Sequence, residues 1–262
     1  MDKKNYNILQ IRELFHLEFL RWLSRKIKAE FYALKGGTNL RFFFNSFRYS
    51  EDMDLDVRII PVEKLKDIVM EILNARSFMD NLRTFNIVKI IPPNIAKAKQ
   101  TQTTQRFKLH LITYSDEDLF MKVEFSRRGM NGTVSVQPIS DTILRLYKLA
   151  PLVVPHYDIH SAVLQKIDAL AARTVTQARD IFDLFILSSQ YNAPEGDQVK
   201  NIAQIVKAHE KIFTISFEQF RDTVVSYLSD EDQGVYGNPS MWDEMKLKTA
   251  RFLEEIKGSR HV

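Results

Sequence analysis

Three aspartates alternate along Asp52-Met53-Asp54-Leu55-Asp56-Val57, and a Gly36-Gly37 pair stands a short way before them. Residues two apart on a β-strand share a face, with about 6 to 7 Å between their backbones. Carboxylates so spaced can converge on hard divalent cations, which take oxygen ligands. Glycines at a helix N-terminus let backbone amides approach a phosphate closely. A third carboxylate on a neighbouring strand, for which Glu124 is the best candidate, would complete a two-cation site for in-line phosphoryl chemistry. Singly, each feature has a plainer reading: a Gly-Gly pair makes a tight turn, and alternating aspartates make a solvated strand face.

Ile8, Ile11, Leu14, Phe15, Trp22, Leu23 and Ile27 recur at three- and four-residue spacing and predict an amphipathic helix over 8–28. Residues 31–34 read as a short buried strand, and Thr38 is placed to cap a helix over 39–45. The strict alternation of 52–57 predicts a half-buried strand with an acidic face. Pro61 opens a helical pattern over 62–75. Strand signals at 84–91 and 106–114 predict a hairpin-like pair around Pro92-Pro93 and a polar stretch, 97–105, that reads as a mobile loop. Residues 119–126 alternate again, with Met121, Val123 and Phe125 on one face and Lys122, Glu124 and Ser126 on the other. From Asp141 onward the pattern is helical, with interruptions at 151–155, 192–196 and 234–239. The chain therefore reads as α+β: a small mixed sheet with helices over 1–140, then a mainly helical part over 141–262.

Hydrophobic residues make up 45% of the 262 and charged residues 27%, and 18 Phe against 8 Gly argue for an ordered globular chain. The absence of cysteine excludes a disulfide framework and any thiolate metal site. A net charge of +4 suits a nucleotide or RNA partner without requiring one. No uncharged apolar run is long enough to span a bilayer, and Met1-Asp2-Lys3-Lys4 leads into a charged helix with no signal-peptide core. The expectation is a cytoplasmic protein with no membrane partner. Of the six histidines, only His156 and His160 stand four apart; Pro155 before them and the helix start suggested by Tyr157-Asp158 argue against a zinc site. Phe42-Phe43-Phe44 reads as core rather than a base-stacking platform, and Arg127-Arg128 as either solvated or in reach of a triphosphate or RNA.

The run Leu34-Lys35-Gly36-Gly37-Thr38-Asn39-Leu40-Arg41, followed by Arg48-Tyr49-Ser50-Glu51-Asp52-Met53-Asp54-Leu55, resembles the defining motif of the AbiEii/AbiGii toxin family, within the DNA polymerase beta-like nucleotidyltransferase superfamily. There a Lys-Gly-Gly-Thr turn leads through a short helix to an Arg-aromatic-Ser-Glu-Asp-x-Asp strand. Lys166, Ala169-Leu170 and Arg173, then Arg179-Asp180 and Asp183-Leu184, resemble the downstream motifs of the same family. The resemblance selects Asp52 and Asp54 as the ligand pair, with Asp56 further along the strand. It implies that Lys166 reaches the nucleotide phosphates and that Asp180 belongs to the active site. Read from the residues alone, Lys166 is equally a solvated lysine, and Asp180 a helix N-terminal charge paired with Arg173 or Arg179.

The resemblance implies an NTP-dependent nucleotidyltransferase using Mg²⁺ or Mn²⁺. Asp52, Asp54 and Glu124 would hold the metal, while Gly36, Gly37, Thr38 and Lys166 would meet the phosphates. It implies an RNA acceptor, such as the 3′ end of tRNA, and a cognate antitoxin from the same operon. Two alternatives stay open: a nucleotide- or RNA-binding module without transfer activity, and a small-molecule nucleotidyltransferase.

Overall fold

The computed structural model describes residues 6–192 and 202–258. The chain divides into two compact units, the first made of Met1–Phe43 and Tyr49–Tyr157, the second of Phe44–Arg48 and Asp158–Val262.

The first unit is built on a seven-stranded sheet, among the described residues, in the order β3-β4-β5-β2-β1-β7-β6. Its strands are β1 (Tyr32–Lys35), β2 (Met53–Val57), β3 (Ile87–Ile91), β4 (Thr104–Thr113), β5 (Asp118–Ser126), β6 (Val134–Pro138) and β7 (Val153–Tyr157). The pairs β2–β5 and β1–β7 are parallel and the others antiparallel, so the sheet is mixed as expected. Alternation decides which face is covered. Met53, Leu55, Phe107, Leu109, Leu111, Met121, Val123 and Phe125 are buried in one core with residues of α1 (Ile8–Lys26), α3 (Val62–Asn74) and α4 (Arg76–Arg83). The opposite face carries the charged positions. Helix α1 starts at a capping box, in which the Asn7 carboxamide accepts from the Gln10 N–H and the Gln10 carboxamide accepts from the Asn7 N–H.

Several expectations need correction. The helix predicted from 39, capped by Thr38, begins at Gly36 as α2 (Gly36–Phe43), which places Thr38 inside its first turn. Residues 151–155, read as a break in a helical region, contribute to β7, which lies beside β1 and pairs on its other side with β6. The two compact units change over after Tyr157, with Phe44–Arg48 also grouped with the second. The polar stretch 97–105 is a hydrogen-bonded turn: the Thr101 N–H donates to Thr104 O at 2.9 Å, and buried Gln105 already belongs to β4.

After α5 (Asp141–Leu146) and β7, the second unit is helical: α6 (Ile159–Ala172), α7 (Ala178–Ser188), α8 (Ile202–Ile212), α9 (Phe217–Thr223), α10 (Asp230–Tyr236) and α11 (Pro239–Gly258). Trp242 anchors it, stacked on Phe220 at 4.2 Å with its indole N–H donated to Ile215 O. Lys211 Nζ donates to Ala171 O and Arg173 O at 2.8 and 2.6 Å, satisfying carbonyls at the end of α6. The interruption expected at 192–196 lies largely outside the described residues, as does His261.

Candidate active site

Strand β1 buries Tyr32, Ala33 and Leu34 and delivers the chain to Gly36, whose φ of +68° lies in the left-handed region. A Cβ there would stand 2.9 Å from Asp54 Oδ2. Glycine is thus required twice, by conformation and by the carboxylate beside it. Helix α2 starts at this turn, so the amides of Gly36, Gly37 and Thr38 belong to its unpaired first turn. The hydroxyls of Thr38 and Ser50 both donate to Asp52 O, at 3.0 and 2.8 Å, and fix the backbone where β2 begins.

Strand register assembles a charged row across the polar face. Lys35 on β1 stands opposite Asp54 on β2, Asp54 opposite Glu124 on β5, and Glu124 opposite Arg106 on β4. Arg106 Nε donates to Glu124 Oε2 at 2.6 Å. Lys122, two residues before Glu124, clasps Asp52 twice: its Nζ lies 2.8 Å from Oδ2 and its backbone N–H donates to Oδ1 at 3.0 Å. Asp54, by contrast, accepts no hydrogen bond and makes no close ion pair among the described residues. Burial pushes its pKa up; Lys35 opposes that, the Glu124 and Asp52 charges reinforce it, and Lys122 opposes it. That pattern places three carboxylates within electrostatic reach of one another.

Asp56, the third alternating aspartate, is otherwise occupied. Buried, it accepts from Lys35 Nζ at 2.5 Å and from the Tyr157 hydroxyl at 2.7 Å, tying β2 to β1 and β7. Both its oxygens are committed to protein partners.

The oxygen donors Asp52, Asp54 and Glu124 suit a hard divalent cation in kind, and the space a Cβ would fill at Gly36 is kept open beside Asp54. Among the described residues no three such side chains already stand in ligating arrangement. The reason is visible in the partners, since Asp52 is turned to Lys122 and Glu124 to Arg106. Lys35, Lys122 and Arg106 were not singled out from the sequence as site residues. The available signal was that Lys122 shares the Glu124 face of β5; the Arg106–Glu124 pairing depends on a register that spacing does not reveal.

Lys166 and Asp180 lie in the second unit. Lys166, on α6, reaches Asp183 Oδ2 at 2.5 Å and Asp180 Oδ1 at 3.4 Å, while Arg173 Nε lies 2.6 Å from Asp180 Oδ2. Asp180 and Asp183, both fully buried on α7, share this network with Arg48 Nη2, which is 3.3 Å from Asp183 Oδ1. Burial acts to raise the Asp183 pKa, but the Arg48 and Lys166 charges win and hold it below the ordinary carboxylate range. His156, buried on β7, bonds to the Asn39 side chain at 3.0 Å and stacks on Phe43. His160 bonds to the Tyr191 hydroxyl. The two therefore lie in different local settings.

The mixed seven-stranded sheet with its helices matches the folds of nucleotidyltransferase toxins. The fold is similar to that of MenT4, a nucleotidyltransferase toxin from Mycobacterium tuberculosis H37Rv, with a TM-score of 0.59 and 16% identity over 96% of this chain and 86% of that one. It is also similar to the crystal structure of JHP933 from Helicobacter pylori, with a TM-score of 0.55 and 19% identity over 97% of this chain and 94% of that one. The sequence profile described as "Nucleotidyl transferase AbiEii toxin, Type IV TA system" matches residues 18–255, and the chain belongs to that family. No curated protein matches the sequence. Among the described residues no helix is long and apolar enough to cross a membrane.

Proposed function

We propose that this nucleotidyltransferase moves a nucleoside monophosphate from an NTP to a hydroxyl on RNA, the 3′ end of tRNA being the favoured acceptor. The observation that supports this most directly is the placement of Asp54: a half-buried carboxylate with no cationic clasp, flanked by Asp52 and Glu124, beside a glycine turn that opens a helix. The α2 amides would receive the triphosphate, because unpaired N–H groups and the helix dipole favour anions there. Asp52, Asp54 and Glu124 would hold Mg²⁺ or Mn²⁺. When bound, the metal would supply Lewis acidity toward the acceptor hydroxyl and charge neutralisation for the pyrophosphate leaving group. Lys122 and Arg106 would hold the Asp52 and Glu124 carboxylates in place until ligation, and Glu124 would either ligate the second ion or accept the acceptor proton. Lys166 enters the proposal as a cation balancing phosphate charge, with Asp180 and Asp183 fixing its ammonium. A cognate antitoxin and a cytoplasmic setting follow from the same reading.

The pairing of Glu124 with Arg106 supports a second reading, a nucleotide- or RNA-binding module in which the third carboxylate never reaches a cation. Incubating the purified chain with each α-labelled NTP, Mg²⁺ and total tRNA separates the two. Label on RNA that is lost in Asp54→Asn, with an unchanged circular dichroism spectrum, is the expected result. Retained labelling in that variant would remove Asp54 from the chemistry. Absence of labelling with any NTP would favour the binding module, and labelling of a small hydroxyl compound instead would point to the third class of acceptor.

A further inference from the structure

The charged row at Asp54 and Glu124 is one end of a longer open surface. Opposite residues on neighbouring strands share a face, so the register defines successive rows on β3, β4 and β5. Next to Arg106 and Glu124 comes the pair Lys108 and Lys122; beyond it lies the row Ile91, His110 and Phe120; then Lys89, Ile112 and Asp118. The reverse face of the same strands is sealed core, with Leu109, Leu111, Met121 and Val123 all buried. On the open face Phe120 is 56% exposed and Ile91 38%. The His110 ring packs on Phe120 with centroids 4.0 Å apart, making a small aromatic platform. Lys108 and Lys89 are exposed and have no ion-pair partner among the described residues.

An exposed phenylalanine on a strand face loses the burial that usually justifies it, and here it is flanked by uncommitted lysines. Aromatic rings beside cations on an open sheet are the chemistry that receives single-stranded nucleic acid: bases stack on the rings and phosphates meet the ammonium groups. Phe120 and Glu124 lie four residues apart on one strand, about 13 Å. A strand end lying along β5 would therefore reach from the platform to the carboxylates. Lys108 and Lys122 lie between the platform and the carboxylate row, while beyond the platform Lys89 shares the hairpin end with Asp116, Glu117 and Asp118. That polarity fits a polyanion entering along the strand better than a basic partner.

We propose that the open face of β3, β4 and β5 seats the single-stranded end of the RNA acceptor, with a base stacked on Phe120 and His110 and the backbone on Lys108 and Lys89. The proposal rests on the RNA-acceptor reading above and adds where the acceptor lies.

The test is fluorescence anisotropy with a labelled single-stranded 12-nucleotide RNA ending in CCA, without NTP or metal, across a salt series. Phe120→Ala should weaken binding about tenfold or more, as loss of one stacked base does. Lys108→Ala should reduce the salt slope by about 0.7, the value for one phosphate contact on a single strand. Lys28→Ala, between α1 and β1 and outside these three strands, should change neither. Asp54→Asn should keep RNA binding while losing transfer, which separates this surface from the chemistry. Phe120 and Lys108 are exposed, so both variants should melt like the parent. Unchanged affinity and salt slope in both variants overturns the proposal even if transfer to RNA is observed. So does failure of the parent to bind the oligonucleotide, or loss in those variants of binding to a co-expressed protein partner alone.

Discussion

Gly36 and Asp54 show how a site can be set by what a residue lacks. Any side chain at Gly36 meets two penalties, a left-handed backbone and an atom 2.9 Å from Asp54 Oδ2. Gly36→Ala should cost about 1 to 3 kcal/mol and also displace the Asp54 carboxylate. Thermal melting with an activity assay checks this, and an alanine variant with parental melting and turnover would show that the turn tolerates a Cβ. At this scale much was legible: period-two spacing put Asp52, Asp54 and Asp56 on one face. Spacing could not rank them. Asp56 is set apart by Lys35 and Tyr157, of which Tyr157 arrives from a strand distant in sequence.

Helices α6 and α7 hold the densest buried charge in the second unit, with Asp180 and Asp183 facing Lys166, Arg173 and Arg48. Breaking such a network from one side leaves uncompensated charge, at about 3 to 5 kcal/mol, so Asp183→Asn should be strongly destabilising at pH 6. The pH dependence follows from the direction of the shift. Asp183 titrates lower in the folded chain than in the unfolded one, so its stabilisation is complete above the ordinary carboxylate pKa of about 4. It is lost as pH falls through the depressed folded value. Urea melts at pH 6 and pH 3 should show a steeper loss for the parent than for Asp183→Asn, and equal slopes would deny the network that role. Long periodic elements such as α1 and α3 were readable in advance. Strand β7 was not, because Pro151 precedes it, Pro155 lies within it and proline signals a break; Pro155 is accommodated in a strand whose register with β1 spans a single residue pair. Helix α4 is amphipathic, with Phe78 and Leu82 buried four apart, but at eight residues it is too short a run to stand out by periodicity.

Across the whole molecule, the chain does not divide at one point. Residues Phe44–Arg48 belong to the second unit although the first unit both precedes and follows them. Phe47 packs on Phe182 and Tyr236 with centroids 5.1 and 4.4 Å away, and Arg48 meets Asp183. A fragment of residues 158–262 lacks all of this. It should show helical circular dichroism without a cooperative urea transition, whereas a sharp transition would establish that the helical unit stands without the inserted segment.

The same threading sets an order of events during translation. Arg48 leaves the ribosome 135 residues ahead of its partner Asp183. At about 5 to 20 residues per second it waits on the order of ten seconds, and the sheet unit can close around the glycine turn and its aspartates before the second unit has its sequence. A nascent chain of this toxin family therefore carries its acidic row well before Lys166 and Asp183 exist, a built-in delay between closing the first unit and giving Arg48 its partner.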